Sequence, residues 1–466
     1  MSAHRWKYAG FSYYDRDSVE RELEELSEAG WLLEKAGGVL WKYRRAEPKA
    51  RRAAVLYVAE GSEFNSEPTG GQLELDELCQ QEGWHLATRW GQMQVYYNDD
   101  MAAGPLETDP VAQVENLRRS MKKSLYGNLV LEVIFGLFLL LSHVLMCAEN
   151  PADFLSSPTE LFAVFMGVLL LGEALWQLFS TLRWLKKAEA AAEEGVFLSI
   201  PSHKGSILLF CLLPFLLLLI GFRDRYQMLI LGSFPLLAVL LMSRPWLKWV
   251  KSRGHSRRFN GIVGVGGAVL MNFAALVLLG VTVIKAPGSF DGHEPVGSFE
   301  MSSGWEWEVY ADELPLRLED FQEELPPISW STEKRGEESL LAAQYDYTQW
   351  PLSQDLELPD LHYRLTTAKV PALFPLFKKK ALERYEDRVM DESCTEIDHF
   401  EPIDPAPWGA DESYQHLWNT GFLRHYLLIY GHTLVDLNLP EEPTEAQKQK
   451  IGAKLQEAAS MARGVA

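Results

Sequence analysis

The sequence is poor in the features that announce an activity. Its 466 residues contain no Gly-x-Ser-x-Gly elbow, no His-Glu-x-x-His pair, no Walker loop and no zinc-knuckle cysteine pair. The residue sets that those nucleophilic, metal and phosphate chemistries require are therefore missing. No enzymatic activity and no cofactor is expected. Cysteine is equally scarce, with Cys79 near the start, Cys147 and Cys211 in or beside apolar runs, and Cys394 alone towards the end. No disulfide can close within the C-terminal part, which must fold on an apolar core. Met1–Gly10 is polar and aromatic and lacks the apolar stretch of a cleavable signal.

What the chain does have is long apolar runs. Leu125–Met146, Leu161–Leu182 and Ile262–Ile284 each approach or exceed the roughly 20 residues that a helix needs to cross a ~30 Å hydrocarbon core. Ile207–Phe222 and Met228–Met242 are shorter, each carries a proline (Pro214, Pro235), and only Arg223–Gln227 separates them. They read as two tilted spans or as a re-entrant pair. A helical bundle of about five spans is expected, with the lipid bilayer as its partner.

Lys and Arg are retained on the cytoplasmic side of a membrane. Arg118, Arg119, Lys122 and Lys123 precede the first run, and Arg183, Lys186, Lys187 and Lys204 follow the second. Arg244, Lys248, Lys251, Arg253, Arg257 and Arg258 precede the last, whereas Ala148–Glu160 has no basic residue. This predicts a multi-pass protein of the cell membrane with residues 1–109 cytoplasmic. Residues 110–284 form a linking helix and the membrane helices, and residues 295–466 lie outside. From Lys285 onward 16 Lys and Arg stand against 34 Asp and Glu, so the outer domain holds nearly all of the net charge of −20. That balance disfavours nucleic acid and anionic lipid as its partners.

The first quarter contains an internal repeat. Leu23-Glu-Glu-Leu26-Ser-Glu-Ala-Gly30-Trp31 returns as Leu75-Asp-Glu-Leu78-Cys-Gln-Gln-Glu-Gly83-Trp84. Each copy continues into two short runs: Leu32-Leu33 and Val39–Tyr43 around Gly37-Gly38, then Leu86 and Met93–Tyr97 around Gly91. Each unit reads as a helix, a glycine that accepts a left-handed conformation, and a two-stranded hairpin. Strands Lys7–Tyr13 and Ala53–Ala59 precede the helices, and Asp17 and Ser18 are the expected caps of the first. The result is a duplicated β-α-β-β unit in a compact α+β domain, with pseudo-twofold packing of its halves.

The order Phe11, Asp15, Gly30-Trp31, Trp41/Tyr43, Gly83-Trp84, Tyr96-Tyr97 and Thr108-Asp109 resembles the domain-of-unknown-function 2812 (DUF2812) family over about that quarter of the chain. The resemblance implies a cytoplasmic module typical of Firmicutes, N-terminal to membrane helices, regulatory in role and without catalytic residues to carry over. Trp31, Trp41, Trp84 and Tyr96 read first as core, since large aromatics dominate small cores. Their second reading is the lining of a ligand cleft between the halves, made asymmetric by His85 and Arg89, which have no counterpart in the first copy.

Asp109-Pro110 reads as an N-cap and first helical residue. With no Gly or Pro before Gly127, the helix is expected to run unbroken from Pro110 into the membrane. Pro287-Gly288 and Gly292 follow the last run, so the outer domain is expected to be tethered. Glu132, Glu173 and Asn272 are costly residues to place in a bilayer. The two carboxylates fall in one half of it and read as glue between helices, with Asn272, Gln177 or Ser180 as partners, or as an ion or proton position. Gly261–Ala268 has no preceding strand and no terminal Lys-Ser/Thr. Helix packing through Gly264 and Ala268 accounts for it better than phosphate binding.

The outer domain reads as α+β. Strand signals are Trp305–Tyr310, Leu340–Tyr347 and a hairpin, Tyr426–Tyr430 and Thr433–Leu437, turned at Gly431-His432. Helix signals are Phe374–Met390, Asp411–Asn419 and Thr444–Ala462, the last capped by Thr444, and Pro402–Pro407 marks a loop. His362, His399, His416, His425 and His432 have no metal-ligand spacing. Three functions stay open. One is a membrane-anchored sensor or regulatory protein that binds a small molecule or protein through its cytoplasmic domain. Another is a transporter or transport accessory using Glu132 and Glu173, and the third is a cell-surface binding protein acting through the outer domain.

Overall fold

A computed structural model describes residues 3–9, 14–37, 40–107, 109–200, 242, 245–285, 295–300, 304, 306–322, 324–354, 358–384, 398–418 and 421–464. The chain divides into two compact units, Met1–Phe138 with Met166–Lys285 and Leu139–Phe165 with Ala286–Ala466.

The first unit begins with the duplicated β-α-β-β arrangement. Its elements are β1 (His4–Tyr8), α1 (Arg16–Glu28), β2 (Trp31–Lys35) and β3 (Leu40–Arg45), then β4 (Arg52–Tyr57), α2 (Gly70–Gln81), β5 (His85–Trp90) and β6 (Met93–Asn98). Both halves place the last strand in the centre of an antiparallel sheet, β1-β3-β2 and β4-β6-β5. Gly30 and Gly83 follow their helices at φ +80° and +78°, the left-handed conformation that ends a helix without Cβ strain. The cap of α1 is Asp15 rather than Asp17 or Ser18: the helix starts at Arg16, and the Asp15 carboxylate accepts the N–H of Ser18.

The halves do not pack equivalently. Helix α2 serves only its own sheet, through Cys79 against Trp84 and Tyr96. Helix α1 is shared by both sheets: Val19, Leu23 and Leu26 join Leu33, Trp41 and Tyr43 of the first half to Val55, Met93, Val95 and Tyr97 of the second. Two glutamates one turn apart complete the contact. Glu20 and Glu24 accept the backbone N–H groups of Val55 and Ala53 at 2.8 and 3.1 Å, supplying the acceptors that the edge strand β4 would otherwise seek in another strand.

The helices that follow are α3 (Pro110–Lys123), α4 (Leu125–Glu149), α5 (Pro151–Ser156), α6 (Pro158–Glu193) and α7 (Arg257–Lys285). Asp109 caps α3 and Pro110 opens it. The expected unbroken helix is interrupted at Ser124, whose backbone leaves the helical region at φ −123° and ψ −61° with no glycine or proline beside it. Two helical stretches among the described residues, Pro110–Glu149 and Pro158–Glu193, are long and apolar enough to cross a membrane, rather than five. The run Ile262–Ile284 lies in α7, while residues 207–222 and 228–241 and the tether at 287–292 fall outside the described residues. Gly264 packs against Leu247 and Phe64, and Gly267 against Trp246, so these glycines admit neighbouring side chains as a packing role requires.

The second unit is built on a seven-stranded antiparallel sheet. Strands β7 (Gly297–Glu300) and β8 (Glu306–Val309) form a separate hairpin. Strands β9 (Trp330–Glu338), β10 (Ala342–Pro351), β11 (Leu361–Ala368), β12 (Asp398–Ile403), β13 (Glu412–Trp418), β14 (Gly421–Tyr430) and β15 (Thr433–Asn438) align as β12-β13-β14-β15-β11-β10-β9. One face packs Tyr363, Leu365, Tyr426, Leu428 and Val435 against Ile451, Leu455 and Ala459 of α9 (Glu445–Gly464), which Thr444 caps by exchanging hydrogen bonds with Gln447. The other face is covered by α8 (Phe374–Leu382) and by α5, with Phe377 set among Ala342, Ala368, Ala152 and Leu155.

Three expectations change here. Asp411–Asn419 is mostly strand β13, because β12 and β14 pair with it on both sides and its buried Ser413 and Gln415 find acceptors on Ile403 and Leu423. Helix α8 ends at Leu382, short of Met390. Pro402 lies within β12, an edge strand, where a missing N–H is tolerated.

Burial drives the Glu20 carboxyl from its ordinary 4.5 up to about 7, against the pull of Arg16 and the Val55 N–H. The folded protein then binds more protons than the unfolded chain between those values, so the stability contributed by Glu20 is present in acid and lost as pH rises through about 7. Glu20→Gln keeps an acceptor for Val55 and cannot ionise. Thermal melting of the detergent-solubilised protein should show the variant gaining on wild type at about pH 8 but not at about pH 5; equal gains at both would remove this account.

Candidate functional site

Strand alternation sends every second residue of the sheet towards α5 and α8. On that face a polar ladder crosses five neighbouring strands. Arg364 stands opposite Asp346 on one side and Asp436 on the other. Arg364 Nε lies 2.6 Å from Asp346 Oδ1, and His425 Nε2 lies 2.5 Å from Asp436 Oδ1. His425 Nδ1 and His416 Nδ1, at 3.3 Å, carry the ladder to β13. Arg384, just past the end of α8, reaches down to the second oxygen of Asp436 at 2.7 Å. Burial pulls the Asp436 carboxyl up, but the His425 hydrogen bond and the charges of Arg384 and Arg364 outweigh it and hold the group below the usual carboxylate range. The hub is thus an anion whose desolvation is offset by one hydrogen-bonded histidine and two guanidiniums.

Above the ladder lies a cavity of about 310 Å³. Its floor is Gln344, Arg364, Thr366 and Asp436, one wall is Phe377, Lys380 and Arg384 of the α8 segment, and the other is Glu149–Ala152 where α4 passes into α5. Helix α5 is held against the sheet from two points. The Ser339 hydroxyl donates to the Leu155 carbonyl at 2.5 Å, and Gln344 donates to Asp153. Burial pushes the Asp153 carboxyl up, opposed by Arg364 and Arg384. Among the described residues neither the Lys380 nor the Glu149 side chain has a hydrogen-bond or ion-pair partner, while Glu383, also on the lining, pairs with Lys379 at 3.6 Å; the cavity thus keeps one unpaired cation and one unpaired anion for a guest. Its volume falls at the lower end of the range typical of small-molecule sites.

None of the cavity residues stands out in the sequence. His416 and His425 have no ligand spacing, yet the alternation of the Tyr426–Leu437 hairpin already places His425 and Asp436 on the face opposite Tyr426, Leu428, Val435 and Leu437. The run Lys378–Lys380 is the other available signal.

The residues selected in the first quarter serve the core. Trp84 and Tyr96 are buried together, with the Tyr96 hydroxyl 2.6 Å from Asp76, which Arg89 pairs. Trp41 lies in the cluster that fills the interface between the halves. Trp31 is half-buried under the Arg45 guanidinium, 5.1 Å from its ring, and His85 is exposed. The six positions do not converge on one site. In the helices, by contrast, the Glu132 and Glu173 side chains lie beside one another, and Gln177 donates to Glu173. Gly136 lets α6 approach, leaving only 3.4 Å to the Gly167 carbonyl for an added Cβ. The Asn272 side chain lies outside the described residues.

The isosteric change Asp436→Asn leaves Arg364 and Arg384 short of a counter-charge and should cost roughly 3–5 kcal/mol of stability. Lys380→Ala, which removes no internal partner, should stay within about 0.5 kcal/mol. Melting of both variants checks the contrast, and equal stabilities would show that Asp436 is not the hub. No protein-family model, no curated protein and no solved structure matches the chain.

Proposed function

We propose that the protein is a membrane-anchored receptor. Its outer domain binds a small solute bearing both an anionic and a cationic group, of amino-acid to dipeptide size, and its cytoplasmic repeat domain is the regulatory output. The observation that carries the reading is the cavity in which Lys380 and Glu149 stand unpartnered on opposite walls. The anionic group of the guest faces Lys380 and Arg384, and its cationic group faces Glu149. A bound solute therefore bridges the α8 segment and the last residue of α4.

Two sets of contacts support the sidedness. In the first unit Trp184 and Ala188 of α6 pack into the N-terminal core, and Asn260 donates to the Phe64 carbonyl at 3.0 Å. In the second unit α5 packs on the C-terminal sheet. Both groupings agree with the distribution of Lys and Arg, which puts the first set of segments inside and the second outside. The apolar faces of α4 and α6 support insertion, since Leu131, Phe138, Leu141 and Phe179 are left exposed, and a soluble protein would bury them.

Helix α4 carries the signal by chain continuity, from the cavity wall through the membrane to α3, which packs into the N-terminal core through Val114, Leu117 and Met121. This keeps the regulatory role implied by the DUF2812 resemblance and moves the binding site from the packed inner domain to the outer one. The clasp of Glu132, Glu173 and Gln177 serves in this reading to couple α4 and α6 rather than to pass ions.

Ligand binding to the folded state raises its melting point by mass action. Full-length protein in detergent should be stabilised by one or more compounds of an amino-acid and dipeptide series. Lys380→Ala and Glu149→Gln should each abolish that shift while leaving the unliganded melting point in place. A compound that stabilises wild type and both variants alike binds elsewhere and sinks this assignment.

A further inference from the structure

The second unit carries an apolar tip for which its fold supplies no cover. Leu340, at the turn between β9 and β10, is 91% exposed, and Val370 and Leu376 beside it are exposed as well. The three are held together by backbone: Lys369 N–H donates to the Leu341 carbonyl at 3.0 Å and Leu373 N–H to the Val370 carbonyl at 3.0 Å. Leu376 lies in the first turn of α8. The turn itself is rigid, because the Ser339 hydroxyl accepts the N–H groups of Leu341 and Ala342 at 2.9 and 3.2 Å.

That same hydroxyl donates to the Leu155 carbonyl at 2.5 Å, and this contact fixes the tip's level. Leu155 is three residues from Pro158, where α6 begins, so at most about 11 Å of chain separates them. The polar interfacial layers add only some 5–8 Å on each side of the hydrocarbon core. A turn bonded to Leu155 is therefore at headgroup depth if α4 and α6 span the bilayer. Charge does not oppose that level: although the outer domain is strongly acidic, Lys378, Lys379 and Lys380 lie within about a turn of Leu376, Glu412 and Glu383 pair the first two of them, and the nearby Glu338 is paired by Lys369.

We propose that Leu340, Val370 and Leu376 form an interfacial foot that dips into the outer leaflet of the membrane. The lipid class is zwitterionic, since an anionic surface would repel the acidic bulk of the domain. The foot rests on the membrane-spanning reading of α4 and α6, and its consequence is that the cavity, whose Lys380 is one turn from Leu376, opens close to the lipid surface.

The test uses full-length protein in phosphatidylcholine vesicles, with Cys79, Cys147, Cys211 and Cys394 replaced by serine. Single cysteines at Leu340→Cys, Met461→Cys and Phe138→Cys carry an environment-sensitive fluorophore. Nitroxide lipids, shallow or deep, and aqueous iodide serve as quenchers. The label at position 340 is expected to lose most of its emission to shallow nitroxide and little to iodide, and the label at 461, exposed on α9, the reverse. The foot is overturned if position 340 behaves like 461 while 138, on α4, is quenched by deep nitroxide. It is also overturned if protection at 340 depends on protein concentration and not on nitroxide, which would make it a contact between two copies. If position 138 also escapes deep nitroxide, the spanning reading itself fails and takes the foot with it.

Discussion

A single buried carboxylate holds the second unit of this protein together. Asp436 sits at the centre of a seven-stranded sheet, where an isolated charge would be prohibitively expensive to desolvate. Its oxygens are instead met by His425 and Arg384, with Arg364 alongside. Because Arg364 also holds Asp346 on the next strand, the solution to one desolvation problem ties β10, β11, β15 and β14 together and draws the end of α8 onto the sheet. The cavity is the space left above that network. A fully apolar face would have closed onto α8 and α5, and the charged ladder keeps it open and polar.

The first unit solves a different problem. Two small sheets each expose edges, and neither half buries enough apolar surface to stand alone. Sharing α1 between them supplies one continuous core, and the carboxylates of Glu20 and Glu24 satisfy the edge of β4 at the cost of one buried acidic group. The same core takes in α3 and the extension of α6, so the helices are gripped by the repeat domain rather than merely attached to it. Helix α4 contributes to both compact units, with Glu132 beside Glu173 of α6 in one and Glu149 at the cavity wall in the other.

Much of this was legible in the chain, and the reason is local. The Gly-Trp repeat, the cap at Asp109-Pro110, the turn at Gly431-His432 and the cap at Thr444 depend on residues within a few positions of one another, so spacing alone reveals them. That Glu132 and Glu173 could come near one another was suggested by their similar depth in two apolar runs of opposite direction, with Asn272, Gln177 and Ser180 left open as partners. Assignments went astray where a distant strand decides. Asp411–Asn419 has an ambiguous pattern by itself and becomes a strand because β12 and β14 offer it hydrogen bonds on both edges. The aromatics of the repeat read first as core and second as a cleft lining, and the structure places Trp41 in the core shared around α1 and Trp84 and Tyr96 in the core of the second sheet.

By itself, then, the sequence determined the duplicated N-terminal fold, the apolar helices with their flanking charges, and the absence of recognised catalytic motifs, because composition and short-range spacing carry those properties. Only the tertiary structure decided where a site lies. Glu149, Arg364, Lys380 and Asp436 come from four separate elements, with nearly 300 residues between the first and the last. Their convergence is set by the register of antiparallel strands and by α5 docking on the sheet. No periodicity in the chain encodes such a meeting, since it arises when one buried charge must find its partners across the fold.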